Sequence, residues 1–450
     1  MRKKLHKKVF KALIEGRKFQ EIRDMFNYYN MVDLALMVED CSLDQVLMLF
    51  KILKREISAE MFTYLSYTKQ EELINAFTSL EIKGMLENLY SDDIVDFLEE
   101  LPSNLVKKIL QSATEDQRSE INLLLSYPED SAGYMMTTDF VELKLSDTVK
   151  RAIARIKTQG KVAETISNCY IVNENRTLVG SIRLREILFA DEDEMISEIM
   201  DTDVISVVTS DDREEVANVF KKYDFSVLPV VNDEKKLIGI ITADDIIDVL
   251  LEETTEDIQK IAAIIPMEGS YTETNILEMA KSRVSWLIIL MVSATFTGLI
   301  IQGYEQTLTL IPALAASMPM IMSTAGNAGS QSSIMVIRGI SVDNMSIKDF
   351  WLVIWKELKI GLVIGLVLFV VNVLRLMIFT PEVGLTTDLV ISTTVFITIL
   401  MANITGGLLP LIALIFKQDP AAMASPLITT IVDALALIVY FRLAMYFLSI

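Results

Sequence analysis

The chain reads as a multidomain membrane protein with an all-α superhelical cytoplasmic domain, an α+β repeat pair, an acidic connecting helix and an α-helical membrane domain of five transmembrane helices. Three observations predict this. The 450 residues are 51% hydrophobic yet carry 61 acids against 41 bases, a net charge of -20, and no single soluble domain has that blend. After residue 283 there are only eight acids and seven bases, so nearly the whole negative excess lies before it. Between the polar and apolar parts, a sequence pattern repeats within residues 136–250.

Residues 1–130 carry amphipathic helical patterns, for example Leu43, Val46, Leu47, Leu49, Phe50 and Leu53, then Ile94, Val95, Phe97, Leu98 and Leu101 before Pro102. Apolar residues at three- and four-residue steps bury one face of each helix, which predicts a helical superhelix or bundle. The basic stretch up to Lys11 leads into no apolar run, so a cytoplasmic N-terminus is expected. An acidic surface repels phosphate, which excludes a simple nucleic-acid binder. Cys41, Cys169 and His6 are too few for a disulfide framework or a Cys/His zinc site. Any metal should therefore be held by carboxylate, carbonyl and water oxygens, which favour hard cations such as magnesium, calcium or manganese.

Residues 131–250 hold the repeat. Met136-Thr-Thr-Asp returns as Met200-Asp-Thr-Asp, and Tyr170-Ile-Val-Asn with Leu178-Val-Gly180 returns as Pro229-Val-Val-Asn with Leu237-Ile-Gly239. Each unit alternates a short helix with β-rich apolar strands, Val227 to Val231 and Leu237 to Ile241 in the second. In the connecting segment, assigned to residues 251–283 and approached from Asp244 onward, acids at 245, 248, 252 and 256 share one helix face. Such a face is either a solvated connector or a surface that needs a cation to neutralise it.

Charge-free stretches predict five spans near 284–302, 307–337, 352–380, 388–416 and 425–448 within the membrane domain 284–450. Lys and Arg cluster before the first span, between the second and third, and between the fourth and fifth, so the positive-inside rule places the C-terminus outside. The second span holds Pro319, Gly326, Asn327, Gly329 and Gln331. Close packing through small residues explains the glycines; a broken helix lining a watery path also accounts for Asn327 and Gln331, which share a face. The fifth span carries Asp433, with Thr429 and Thr430 a turn earlier. An intramembrane carboxylate needs a cation, a proton or water, or a partner such as Arg375 or Arg442.

The repeat resembles a tandem pair of cystathionine-β-synthase (CBS) modules, which implies a regulatory pseudo-dimer. The nucleotide-binding ending of such pairs is kept in the second unit as Gly239, Thr242 and Asp245, whereas the first has Gly180, Arg183 and Glu186; the resemblance thus allows ATP as a ligand. The whole order of domains, with Gly326-Asn-Ala-Gly-Ser-Gln331, Asp419-Pro420 and Pro426-Leu-Ile-Thr-Thr-Ile-Val-Asp433, resembles the MgtE family of magnesium channels. It implies a homodimer in the cell membrane whose pore is lined by the second and fifth spans. Asp433 would select hydrated magnesium, with Gly326, Asn327, Gly329, Gln331 and Thr429 beside it. Cytosolic magnesium would close the pore by bridging Glu60, Asp92, Asp96, Glu214, Asp224, Asp245, Asp248, Glu256 and Asp257. Two other readings stay open from the sequence: a transporter or exporter of manganese or cobalt, and a membrane-anchored nucleotide sensor. An enzyme is not expected, because no nucleophile stands with a base and there is no Walker-type loop.

Overall fold

A computed structural model of the chain describes residues 7–99, 101–267, 271, 274–343, 345–381, 384–423 and 425–448. It divides into two compact units, Met1–Leu251 and Glu252–Ile450.

The first unit begins with ten short helices, α1 to α10, from Lys7–Glu15 to Glu115–Leu124, with α8 at Ser91–Glu99. Their boundaries are written in capping residues. Asn30 and Ser66 side chains accept the N–H groups of Val32 and Lys69, and Thr78 with Glu81 and Thr114 with Gln117 form reciprocal capping boxes. The apolar faces meet in one core that includes Phe10, Ile22, Leu34, Leu49, Phe62, Leu73, Ile82 and Ile109.

The repeat follows as two three-stranded sheets of the same order. In the first, β1 (Glu142–Lys144) runs parallel to β2 (Asn168–Val172), which pairs antiparallel with β3 (Leu178–Arg183); α11 (Val149–Gln159) and α12 (Leu184–Phe189) accompany it. In the second, after α13 (Ile196–Ile199), β4 (Val207–Val208), β5 (Val227–Val231) and β6 (Leu237–Thr242) repeat that order around α14 (Arg213–Tyr223). The strands fall where the β-branched runs place them. The glycine of each unit permits the same close crossing: Gly180 lies against Met200 and the Asp201 carbonyl, and Gly239 against Met136 and the Thr137 carbonyl. A side chain at Gly239 would stand 2.7 Å from Thr137 O, in the way of the paired hydrogen bonds between Thr137 and Ile240. The last helix of the repeat runs on into the acidic connector as one element, α15 (Ala243–Ile261); the segment assigned to 251–283 is not a single helix, because α15 stops there and a second helix begins at Ile276.

The second unit holds the apolar helices α16 (Ile276–Gly303), α19 (Phe350–Phe379), α20 (Leu385–Ile415) and α21 (Ser425–Leu448), with the short α17 (Glu305–Leu310) and the 32-residue α18 (Pro312–Asp343) between them. Among the described residues, four helices are long and apolar enough to cross a membrane by themselves, within Ile276–Gly303, Ile347–Phe379, Leu385–Ile415 and Pro426–Leu448. The expectation of five is thus met in four. α18 has the length, but its Ser, Gly, Asn and Gln residues remove the hydropathy.

α18 also starts later than the span expected near 307–337, because Ile311 leaves helical geometry and Pro312 opens a new helix. It then runs unbroken through Pro319 and the glycine segment. The broken-helix alternative is therefore not adopted, and close packing has the glycines instead. At the crossing of α18 and α20, a Cβ on Gly406 would collide with the Gly329 carbonyl, so neither position has room for a side chain. α21 is anchored on the same helix by Tyr440, whose buried hydroxyl donates to Leu314 O at 3.0 Å. Outward faces of α16 and α19, with Leu287, Met291, Phe296, Leu366, Val367 and Ile378, are exposed and apolar, as a lipid-facing surface requires.

Candidate functional site

Three groups of acids stand out, one in the first unit and two in the second. The first is assembled by helix N-termini, where the dipole and free N–H groups favour negative charge. α8 carries Asp92 and Asp93 in its first turn and α15 carries Asp244 and Asp245 in its own. Asp92 is 6% exposed, and its Oδ1 accepts the Asp93 N–H at 2.9 Å. Thr242, just before α15, sets its hydroxyl 2.5 Å from Asp244 Oδ1 and 2.7 Å from Asp245 Oδ2. Glu164, from the loop before β2, completes the set. Carboxylate oxygens of Asp92, Glu164 and Asp245 lie within 4.8 Å of one another, and Glu164 Oε2 is buried with no hydrogen-bond partner among the described residues.

The three face a cavity of about 870 Å³ whose described lining also includes Glu60, Asp93, Asp96, Asp244 and Asp248 and no Lys or Arg. The electrostatic consequence is direct. Burial, then the negative charges of Asp245, Glu164 and Asp93, push the Asp92 carboxyl well above the usual carboxylate range. Burial, followed by Asp245, raises Asp93 to about 6, and burial with neighbouring Asp244 and Asp248 raises Asp245 to about 6 against the pull of Thr242. Glu164 is raised to about 7, again by burial first and Asp245 second. Each group resists becoming an anion beside the others, and a divalent cation removes the conflict. With only oxygens on offer, the site fits a hard cation that keeps part of its water.

Of the acids expected to bridge, Glu60, Asp92, Asp96, Asp245 and Asp248 line this cavity. Glu214 and Asp224 do not. They sit at opposite ends of α14, in its first turn and at its left-handed C-cap, both exposed. Glu164, Asp93 and Asp244 are the additions. Glu164 is a single acid in a loop and has no periodicity to reveal it, whereas the adjacent pairs Asp92-Asp93 and Asp244-Asp245 were visible as helix-opening acids.

In the second unit, Lys260 joins the C-terminal half of α15 to the loop before α21. Its ammonium lies 2.7 Å from Glu256 Oε1 and 2.5 Å from Asp419 Oδ2. Partial burial opposes its charge, but the hydrogen bonds from Asp419 and Glu256 outweigh this and raise it above the ordinary lysine range. Asp257, beside them, is raised by burial and then by Asp419. Glu256 and Asp257 are thus gathered with Asp419, a residue the motif contained, around a fixed internal cation.

The third group is on α18 and α21. A methyl group at Gly326 would stand 3.0 Å from Thr429 Cγ2 and 3.6 Å from Asp433 Oδ1, and one at Gly329 would stand 3.0 Å from Ile428 Cγ2. The glycines therefore let α21 approach with Thr429 and the half-buried Asp433 against α18. Asn327 and Gln331 are exposed on α18, four residues apart. Thr429 and Thr430 return their hydroxyl hydrogens to Pro426 O at 2.9 and 3.0 Å, leaving oxygen lone pairs toward their surroundings. Neither Arg375 nor Arg442 pairs with Asp433 among the described residues; Arg375 donates to Asn372 Oδ1 at 3.1 Å.

The nucleotide-type residues have structural duties here. Gly239 accommodates Met136 and Thr137, and Thr242 holds the opening acids of α15. The first unit departs further, since Glu186 accepts the Arg183 N–H at 3.0 Å as a helix cap.

Comparison with known proteins accounts for the whole arrangement. A family model described as divalent cation transporter matches residues 318–443, one described as MgtE intracellular N domain matches 29–130, and CBS domains match 132–193 and 196–252. The chain is 32% identical to the magnesium transporter MgtE of Bacillus subtilis over 97% of its length and 96% of that protein. It is 32% identical to the magnesium transporter MgtE of Thermus thermophilus over 99% of its length and 98% of that protein. Its structure is similar to the soluble part of a magnesium transporter, with a TM-score of 0.52 and 30% identity over 55% of this chain and 97% of that one. It is also similar to the cytosolic domain of the Mg2+ channel MgtE solved with ATP, with a TM-score of 0.51 and 29% identity over 54% of this chain and all of that one.

Proposed function

The chain belongs to the MgtE family, a family of ion transporters and not of enzymes, and from that premise we propose that it conducts magnesium across the cell membrane and is closed by magnesium on the cytoplasmic side. The observation that carries the transport reading is Asp433. A carboxylate without a described ion-pair partner sits on an apolar helix, against the glycine face of the one long helix whose composition is polar. Its position is costly in a bilayer unless a cation or water meets it. Magnesium dehydrates reluctantly, so a mostly hydrated ion held by this carboxylate suits the site, with Thr429, Asn327 and Gln331 offering further oxygens and Gly326 and Gly329 letting the two helices approach.

Under this reading α18 is the fifth span, supported inside the protein by α20 and α21, and the termini lie on opposite sides with the N-terminus cytoplasmic. Two copies assemble with α18 and α21 lining the pore. The regulatory ions bind between Asp92, Glu164 and Asp245 with Glu60, Asp96 and Asp248 nearby, and around Glu256, Asp257 and Asp419; Glu214 and Asp224 would serve as separate surface ligands. Magnesium uptake into reconstituted vesicles tests the assignment. Asp433→Ala should lose at least ten-fold in flux, and undiminished uptake refutes the pore role. Parallel assays with manganese and cobalt decide ion preference.

A second ligand is supported by the similarity to the ATP-bound cytosolic domain. Adenine nucleotide would bind at the repeat pair through the end of β6, near Gly239, Thr242 and Asp245. Calorimetric titration with ATP, against Thr242→Val, checks it; equal heats from both proteins remove these residues from the site.

A further inference from the structure

A second polar site lies inside the membrane unit, away from Asp433. α18, α19 and α20, with Met345, enclose a cavity of about 280 Å³, and no described residue of α21 lines it. Among its lining residues, Glu357 and Ser332 are 6% exposed and Asn403 is 2% exposed.

These three groups present acceptors. Ser332 donates its one hydrogen to the Asn403 main-chain carbonyl at 2.8 Å, so only its oxygen lone pairs remain to be offered. The Asn403 amide nitrogen is turned toward Gly361, 3.5 Å from where a Cβ would be. Its Oδ1 is buried with no hydrogen-bond partner among the described residues, a costly condition for a polar atom out of water. The backbone has been cleared to bring them together. A Cβ at Gly407 would stand 3.0 Å from Glu357 Cγ and 3.1 Å from Ser332 Oγ. Glu357, Ser332 and Asn403 are all in the lining of this cavity, and a lining that holds a buried carboxylate, a hydroxyl and an amide calls for something positive.

Arg338, Lys356 and Asp343 line the same cavity and are exposed, so their charges are moderated by solvent at the rim. They disfavour a bare cation but not a hydrated one. Six waters occupy roughly 180 Å³ at about 30 Å³ each, which the cavity holds. We propose that Glu357, Asn403 and Ser332 form an intramembrane site for a hydrated divalent cation, where α18 ends and α19 begins, separate from the Asp433 line.

Anomalous scattering from crystals of the full-length protein soaked in manganese tests this. A manganese peak is expected between Glu357 and Asn403 in the wild type and in Asp433→Asn, and no peak there in Glu357→Gln. A wild-type map with manganese at Asp92 and Asp245 but none at Glu357, or a peak that survives Glu357→Gln, overturns the proposal. Should Glu357→Gln fail to fold, Asn403→Asp decides in its place. The added carboxylate should tighten manganese at this position about ten-fold in a soak series, and unchanged occupancy overturns the proposal. Flux lost in Asp433→Asn with this peak retained keeps the outcome distinct from that of the pore reading.

Discussion

Asp92→Asn gives the sharpest test of the acid cavity, because it changes one charge and almost no shape. Asn can still accept the Asp93 N–H through Oδ1, as Asp92 does at 2.9 Å. The electrostatic change is large. Two unit charges at 4.8 Å, the outer limit of the spacing among these oxygens, repel by about 3.5 kcal/mol at an effective dielectric constant of about 20. Three fully ionised carboxylates would therefore carry about 10 kcal/mol of repulsion, comparable with the total stability of a domain. A proton or a cation must sit among them.

The linkage has a definite sign. Asp93 and Asp245 are raised to about 6 and Glu164 to about 7 in the folded chain, against about 4 when unfolded. Between about pH 4 and 7 the folded state then binds more protons than the unfolded one, so metal-free stability falls as pH rises through that window. Neutralising Asp92 removes two of the three repulsions; since protons already relieve part of them, about 1–3 kcal/mol should be recovered at pH 7.5. For a unit of this size that is roughly 3–10 °C in melting temperature. Calorimetry of the full-length protein should show Asp92→Asn melting higher than wild type without magnesium, with its magnesium-induced increment at least halved. The reasoning fails if wild-type melting is flat between pH 5 and 8 without metal, or if Asp92→Asn melts lower and keeps the full increment.

Other outcomes follow from the same geometry. Gly406→Ala drives a methyl group into the Gly329 carbonyl and should cost about 1–3 kcal/mol, read as a lower melting temperature in detergent; an unchanged value means α18 and α20 are not in contact. Lys260→Met leaves Glu256, Asp257 and Asp419 without their internal cation, so electrophysiological closure should become more magnesium-sensitive, and an unaltered closing concentration dismisses the lysine as a competitor for that site. Asp248→Ala with Asp257→Ala should leave current flowing at millimolar cytosolic magnesium, and closure at the wild-type concentration refutes their part in sensing.

The division between what letters reveal and what they hide follows from the range of the forces. Strands Val227–Val231 and Leu237–Thr242 were legible because β-branched runs and a repeated Gly report local backbone geometry. Asp433 was legible because a carboxylate in an apolar stretch is anomalous in any fold. Glu164 was not, for it reaches Asp92 and Asp245 across 72 and 81 positions of sequence through loop and sheet packing. Glu357 has no sequence signal, and only its burial and its place with Ser332 and Asn403 in one cavity lining mark it. The glycines of α18 were seen but divided between two readings. The crossing with Gly406, which lies 77 residues away, decides for packing, and no pattern inside α18 could have done so.

Under the proposed function, the acid cavity also bears on what kind of sensor would sit there. Moving a two-state gate from 1:99 to 99:1 needs about 5.5 kcal/mol of differential binding, and the repulsion among Asp92, Glu164 and Asp245 is of that size or larger. The cation need not form strong bonds to the closed form; it need only cancel a penalty that the closed form alone incurs. That gives a use to the buried Glu164 Oε2, which has no hydrogen-bond partner among the described residues: an oxygen already satisfied by a donor would leave less free energy for the ion to recover. It also means protons and magnesium compete for the same oxygens, so the gate's magnesium threshold is tied to cytoplasmic pH through Glu164, raised to about 7.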